Sequence, residues 1–252
     1  MEGVQRLHAK KPFLVIQLRP EDITADDEFA AILRHGQLTA DEVVRVRVGA
    51  SGLPDINTDH FAAIIVGGSP YDISTPASEK SATQNLIEAG FMALLEPVVA
   101  RDVPFLGACS GNGLLGHFCG ATISKRFGEP VQGIDVTITD AGRDDPLLAG
   151  MPQTIRVLVG HKEACDETPP GATLLARGAA CPVQMFRLGQ NVYATQFHPE
   201  GDPGGFSLRI ETYRHHGYFK PDEASQLIDQ LRNEATPYAH EILARFVARY
   251  RQ

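Results

Sequence analysis

The chain has 252 residues, 43% of them hydrophobic, and carries 23 Lys and Arg against 31 Asp and Glu, a formal net charge of −8. The apolar content excludes a wholly disordered chain, and the negative balance excludes a protein that holds nucleic acid or an anionic membrane by bulk charge. Residues 1–12, a polar N-terminal arm, lack a signal peptide's apolar stretch, and runs such as 61–66 are too short to span a bilayer, so the sequence predicts a soluble, cytoplasmic protein.

Residues 13–18 form a continuous apolar run, a candidate buried strand. Residues 26–35 carry apolar side chains at helical spacing, with Asp26 at the start and Gly36 at the end as caps. Residues 43–48 alternate like a strand, and 61–66 are a second apolar run, stopped by the turn Gly67-Gly68-Ser69-Pro70. A helix is expected over about 78–100, irregular near Gly90 and Pro97, then a strand at 103–108 and a helix at 111–118. Short strands follow at 134–139, 155–159, 173–176, 182–188 and 191–197, split by Gly, Pro and Asp. The tail from 206 is helical in pattern, with breaks at Pro221 and Pro237. Strands alternating with helices in the first half predict an α/β fold, an open and mainly parallel twisted sheet flanked by helices. The expected organisation is one domain over 13–204 with a helical extension over 205–252. Ligands in such sheets bind beyond the carboxyl ends of the strands, here at 67–70 and 107–111.

Two stretches there can carry chemistry. Gly107-Ala108-Cys109-Ser110-Gly111 follows a strand and opens a helix, the nucleophile-elbow pattern with Cys in place of Ser. Small residues on either side allow the sharp turn, the helix N-terminus favours a thiolate, and free N–H groups such as that of Ser110 can hold an oxyanion. The overlapping Gly111-Asn112-Gly113-Leu114-Leu115-Gly116 fits G-x-G-x-x-G, but it follows the fourth strand and no acidic residue ends the next strand at the spacing a dinucleotide needs. The second stretch is Gln196-Phe197-His198-Pro199-Glu200, which offers His198 as a general base and Glu200 to orient its ring. The remaining thiols, Cys119, Cys165 and Cys181, read as small packing residues: no C-x-x-C pair or zinc spacing is present, and no metal or cofactor is expected.

In chain order these pieces resemble the class I glutamine amidotransferases, in particular the glutaminase domain of GMP synthase and its stand-alone relatives. Ile65-Val66-Gly67-Gly68-Ser69-Pro70 is similar to the family's oxyanion strand, and the Cys109 turn to its G-x-C-x-G. Gly160-His161-Lys162-Glu163 with Pro169-Pro170-Gly171-Ala172-Thr173-Leu174-Leu175-Ala176 resembles S-H-G-D…L-P-P-G-F-x-x-L-A, Cys181-Pro182-Val183-Gln184 the segment before the last strands, and residues 193–200 end in the family's Q-F-H-P-E. The resemblance covers about 13–200 and implies Cys109 as nucleophile, His198 as base and Glu200 as its orienter, with Gly68 and Ser110 N–H groups as the oxyanion hole. It implies that Gly67, Gly113, Gly160, His161 and Lys162 lie along the substrate, and that a γ-glutamyl thioester on Cys109 is hydrolysed or transferred. One position departs: Gly113 stands where the family commonly places a substrate-contacting Gln, which argues for altered specificity. The 52 residues after Glu200 leave no room for a synthetase domain, so amination of an acceptor would need a separate partner chain. A γ-glutamyl peptidase or hydrolase without such a partner, and a non-catalytic binding relative, are the alternatives.

Overall fold

The computed structural model describes residues 10–215 and 219–252, so most of the expected N-terminal arm lies outside the described residues. Five parallel strands form one half of a nine-stranded sheet: β1 (Phe13–Gln17), β2 (Val43–Arg47), β3 (Ile64–Val66), β4 (Phe105–Ala108) and β11 (Val192–Thr195). Antiparallel strands β6 (Glu129–Ile138), β7 (Thr154–His161), β9 (Thr173–Gly178) and β10 (Met185–Leu188) extend it, in the order β2-β1-β3-β4-β11-β10-β9-β6-β7. A separate pair, β5 (Ile123–Ser124) with β8 (Ala164–Cys165), was not expected from the sequence, because two-residue strands leave no periodicity to read.

The continuous apolar runs make central strands because both sheet faces are covered. On one face Phe13, Val15, Ile65, Leu106 and Tyr193 pack with Ile242, Leu243 and Phe246 of α7 (Pro237–Tyr250). On the other, Leu14, Ile16, Ile64, Val66 and Phe105 meet Phe91, Leu94 and Val98 of α2 (Ala82–Ala100) and Leu114 and Leu115 of α3 (Ser110–Phe118). Thus α7 closes one layer of the sandwich. It begins at Pro237, where an N-terminal proline loses no helical bond, and Pro221 opens a 3₁₀ turn before α6 (Ala224–Leu231).

Several boundaries differ from the sequence reading. Helix α1 (Asp22–Gly36) starts one turn before Asp26, and Gly36 is its last residue; Gln37 takes the left-handed cap at φ 54°. The α2 helix runs unbroken through Gly90 and Pro97. Gly90 is there for space, since a Cβ would come 2.7 Å from Leu53 Cβ, and Pro97 falls in the last turn, where only one bond is lost. Strand β6 starts five residues earlier than expected, at Glu129, because a register shift between Glu129 and Gln132 carries the pairing past Pro130. The four-residue helix α4 (Asp140–Arg143), capped by Thr139, was also missed.

Gly107 is the tightest constraint at the carboxyl edge of the sheet. A Cβ there would lie 2.7 Å from the Gly111 carbonyl carbon, so α3 could not fold back on β4. Gly107→Ala is expected to destabilise the fold by about 1–3 kcal/mol. Gly49→Ala, where nothing lies within 4 Å of the new Cβ, should stay within about 0.5 kcal/mol. Urea midpoints of the two variants check this.

Candidate active site

The strand order β1-β3-β4-β11 sets four strand ends side by side, and from them come Arg19, Gly68, Cys109 and His198. Cys109 is the hinge between β4 and α3, with φ 53° and ψ −98°. A side-chain-bearing residue in that region stores about 1–3 kcal/mol of backbone strain, and the surrounding sheet supplies it: Cys109 N–H donates to Thr195 O at 2.8 Å on the neighbouring β11. The turn presents the thiol at the first turn of α3, whose leading amides, Ser110 first, have no helical acceptor.

His198 and Glu200 follow β11 and are buried, at 3% and 2% exposure. His198 Nδ1 lies 2.7 Å from Glu200 Oε1. A carboxylate accepts, so Nδ1 carries the hydrogen and Nε2 keeps its lone pair. Arg209, from α5 (Pro203–Thr212), donates through Nη2 to Glu200 Oε1 at 3.1 Å. Its Nη1 approaches His198 Nδ1 at 3.3 Å, a contact between two donors. Burial favours the protonated form of Glu200, but its interaction and hydrogen bond with His198, together with Arg209, override it and hold the carboxyl well below the usual range. Burial lowers the His198 pKa below 6.5 despite Glu200, so the ring is neutral at pH 7 and can accept a proton.

Cys109 and His198 line one cavity, with Arg19, Ser110, Gly113 and Lys162 among its other walls and Phe206, Ile210, Tyr213 and Phe219 adding ring and aliphatic surface. The sequence reading expected a thiol activated by the helix N-terminus. Instead, burial pushes the Cys109 thiol up to about 12, against the pull of Arg19 and Arg209. The directions of these shifts leave the thiol protonated and the imidazole neutral, in one cavity.

Arg19, Glu28 and Arg209 were not singled out from sequence. Glu28 lies on α1 with no exposure, and its Oε2 accepts from Arg19 Nε at 2.8 Å and from Gly68 N at 3.3 Å, with Arg209 Nη2 at 3.8 Å. Gln17 Nε2 holds its other oxygen at 3.0 Å. The Gly68 amide, expected in an oxyanion hole, thus already has a carboxylate partner. Gly67 N–H donates to Ile16 O at 3.1 Å, and Gly67 is not among the residues lining this cavity. Gly160 and His161 do line the cavity, but both ring nitrogens of His161 are engaged, Nδ1 with Glu163 O at 2.9 Å and Nε2 with Glu129 Oε2 at 3.0 Å. Lys162 pairs with Asp72 at 3.3 Å. Glu163 accepts from the amides of Ile73 and Ser74, both at 2.7 Å, which pins the loop after Gly68. At Gly113 a Cβ would meet only Ile73 Cδ1 at 3.6 Å and Glu163 Oε1 at 3.8 Å, so the position has room for a side chain. The glycines of the G-x-G-x-x-G match are buried positions inside α3.

Among the described residues, one further group could hold a cation: Glu129, His161 and Cys181, all buried, with ligand atoms within 4.8 Å of one another. Gln184 Nε2 also donates to Glu129 Oε2 there, at 2.7 Å. No helix among the described residues is long and apolar enough to cross a membrane.

Residues 29–212 match the family model "Glutamine amidotransferase class-I", and the chain belongs to that family. It is 28% identical over 149 residues to the glutamine-hydrolyzing GMP synthase subunit of Pyrococcus abyssi, covering 59% of this chain and 71% of that one. It is 30% identical over 149 residues to the putative glutamine amidotransferase-like protein YfeJ of Salmonella typhimurium, covering 57% of this chain and 59% of that one. Against the corresponding GMP synthase subunit of Thermococcus kodakarensis, 33% identical over 109 residues, it spans 43% of this chain and 56% of the relative's length. A solved glutamine amidotransferase of Thermotoga maritima superposes with TM-score 0.72 at 18% identity, over 94% of this chain and 96% of that one.

A thiol with a pKa near 12 gives an alkylation rate that rises about tenfold per pH unit between pH 7 and 9. Iodoacetamide labelling at Cys109, mapped by mass spectrometry, should show that slope, and a plateau below pH 8 would contradict the raised thiol pKa. Cys165 and Cys181, fully buried, should label only on unfolding.

Proposed function

We propose that this chain cleaves the γ-amide bond of glutamine or a γ-glutamyl compound through a γ-glutamyl thioester on Cys109. His198 Nε2 takes the thiol proton as the sulfur attacks the γ-carbonyl carbon, then gives it to the departing ammonia or amine. Water, deprotonated by the same nitrogen, releases the acyl group as the γ-carboxylate. Glu200 holds the ring tautomer and stabilises the imidazolium that forms. The observation that carries this reading is the 2.7 Å His198 Nδ1–Glu200 bond, which leaves Nε2 as the ring's proton acceptor in the cavity that Cys109 lines. The amidotransferase family and the glutamine-hydrolysing relatives support the same reaction class.

Two forms of this reaction differ in where the nitrogen goes. Transfer to an acceptor calls for a synthetase, and the archaeal relatives, named as subunits of GMP synthase, support its being a separate chain. Cleavage of a γ-glutamyl compound with a larger leaving group needs no partner. The open space at Gly113 and the apolar wall of Phe206, Ile210 and Phe219 favour this second form, because a larger amine or peptide can be seated there.

An ammonia- and amine-release screen over glutamine, γ-glutamyl amides and γ-glutamyl peptides tests the reading. Wild type should turn over at least one of them and Cys109→Ala none, while equal turnover by both would contradict it. Gly113→Gln should lower the KM for glutamine about tenfold or more with kcat little changed, since it restores mainly ground-state binding. Michaelis kinetics of the two forms decide this, and an unchanged KM would show that Gly113 does not set specificity.

A further inference from the structure

The reaction just proposed divides its substrate at the scissile bond. The glutamyl acyl group stays on Cys109, and the amine departs on the His198 side, because that ring must give it a proton. Whatever stands beside His198 in the cavity therefore faces the leaving group. Arg19 stands there: it lines the cavity, and a Cβ built on Gly68 would lie 2.5 Å from Arg19 Nη2 and 2.8 Å from His198 Cε1, so guanidinium and imidazole are neighbours across that glycine. Arg19 donates through Nε to Glu28 Oε2 at 2.8 Å and through Nη1 to the Tyr213 hydroxyl at 3.5 Å, while its Nη2 makes no hydrogen bond among the described residues. Apolar rings share this side. Phe206 meets the His198 ring edge-on with centroids 5.4 Å apart, and the Tyr213 ring centroid lies 5.8 Å from Arg19 Cζ. Ile210, one turn beyond Phe206 on α5, and Phe219 continue the surface along the cavity. Ammonia, the leaving group of glutamine, uses none of this, having no carbon to bury and no charge for a guanidinium to meet.

We infer that the leaving group is an α-amino acid with a free carboxylate and an apolar or aromatic side chain, so that the substrate is a γ-glutamyl amino acid. The inference rests on the proposed Cys109 reaction and names its substrate class. Arg19 Nη2 takes the carboxylate, and Phe206, Ile210 and Phe219 take the side chain. In such a leaving group the carboxylate sits on the α-carbon that bears the departing nitrogen, so a nitrogen within reach of His198 brings the carboxylate to the neighbouring guanidinium. The glutamyl α-carboxylate lies on the acyl side of the bond instead, away from the proton donor. Arg19 suits the task because its charge does not titrate in this range and its Glu28 bond sets the guanidinium plane before the substrate arrives. His198 Nε2, carrying the Cys109 proton, passes it to nitrogen as the C–N bond breaks, and the amino acid departs as a neutral amine. Water then adds to the thioester, the C–S bond breaks, and the γ-carboxylate leaves as the thiol is restored.

γ-Glutamylphenylalanine and γ-glutamylphenylalaninamide differ only in that carboxylate, and both keep the glutamyl end intact. Wild type should cleave the acid with kcat/KM about 10–100-fold above the amide, the range of a hydrogen bond to a charged group. Arg19→Lys keeps a cation opposite Glu28 but cannot hold Glu28 and also present a second N–H to the cavity, so the acid-to-amide ratio should fall to within about threefold of one. A purely structural role would lower both substrates alike and leave the ratio where it was. Product inhibition makes the same comparison in the unsubstituted chain: phenylalanine should inhibit about tenfold more tightly than phenethylamine, which lacks the carboxylate. An acid-to-amide ratio near one in wild type, a ratio unmoved in Arg19→Lys, equal inhibition by the two amines, or turnover of glutamine with neither phenylalanine compound cleaved would each overturn the inference while Cys109 chemistry stands. If wild type cleaves neither glutamine nor any γ-glutamyl compound, both fall together.

Discussion

The site rests on one fully buried carboxylate. Glu28 is lodged against Arg19 and within 4 Å of Arg209, and Arg209 in turn donates to Glu200, which holds His198. The signs alternate along this chain, so each buried charge has a partner. Removing one member of such a pair typically costs about 3–5 kcal/mol, because the other is left charged without water. The chain draws α1, the end of β1, the turn after β3, α5 and the end of β11 to a common point. It therefore ties the geometry of the His198–Glu200 couple to the packing of the whole carboxyl edge of the sheet.

Above that foundation the sheet supplies register. Pairing of Cys109 N–H with Thr195 O fixes the elbow against the strand that leads to His198, and Gly107 lets α3 turn back close enough to sustain the left-handed Cys109. Neither device works alone. A relaxed backbone at Cys109 would swing the thiol away from the cavity, and a bulkier residue at 107 would force that relaxation.

The fold was legible because its signals are local. Apolar runs at 13–18 and 191–197, the glycine turns after β3 and β4, and the prolines at 221 and 237 each report a nearby backbone event, and together they point to the α/β class. The juxtaposition of Cys109 and His198 in one cavity was legible for the same reason, since both sit at strand ends in recognisable turns. The buried charges were not. Arg19 follows a strand and precedes a proline, and Arg209 sits between Leu208 and Ile210 in a helix, so neither reveals its carboxylate partner in sequence. The partners lie far apart in sequence, with 28 and 209 in separate helices. Glu28 did leave a trace: it occupies the apolar face of α1 with Ala25, Ala31 and Ile32, where an unpartnered carboxylate would be costly. At Cys109 the helix-terminus argument is local, whereas the burial that opposes it comes from residues spread over the chain. The engaged amide of Gly68 was invisible for the same reason, as its acceptor is forty residues upstream.

On the proposed reading, the neutral thiol and neutral imidazole share a single proton that moves at the moment of attack, and the arginines bias that movement without becoming part of the acid–base pair. This accounts for a nucleophile that is quiet at rest and gains reactivity when a γ-carbonyl is held in the cavity. The most direct measurement is acid quench of the enzyme during turnover of a γ-glutamyl substrate, followed by peptide mass mapping. The account predicts the mass of one γ-glutamyl group on the Cys109 peptide and none on Cys119, Cys165 or Cys181. Steady turnover with Cys109 never acylated, or with the acyl group on another thiol, would contradict it.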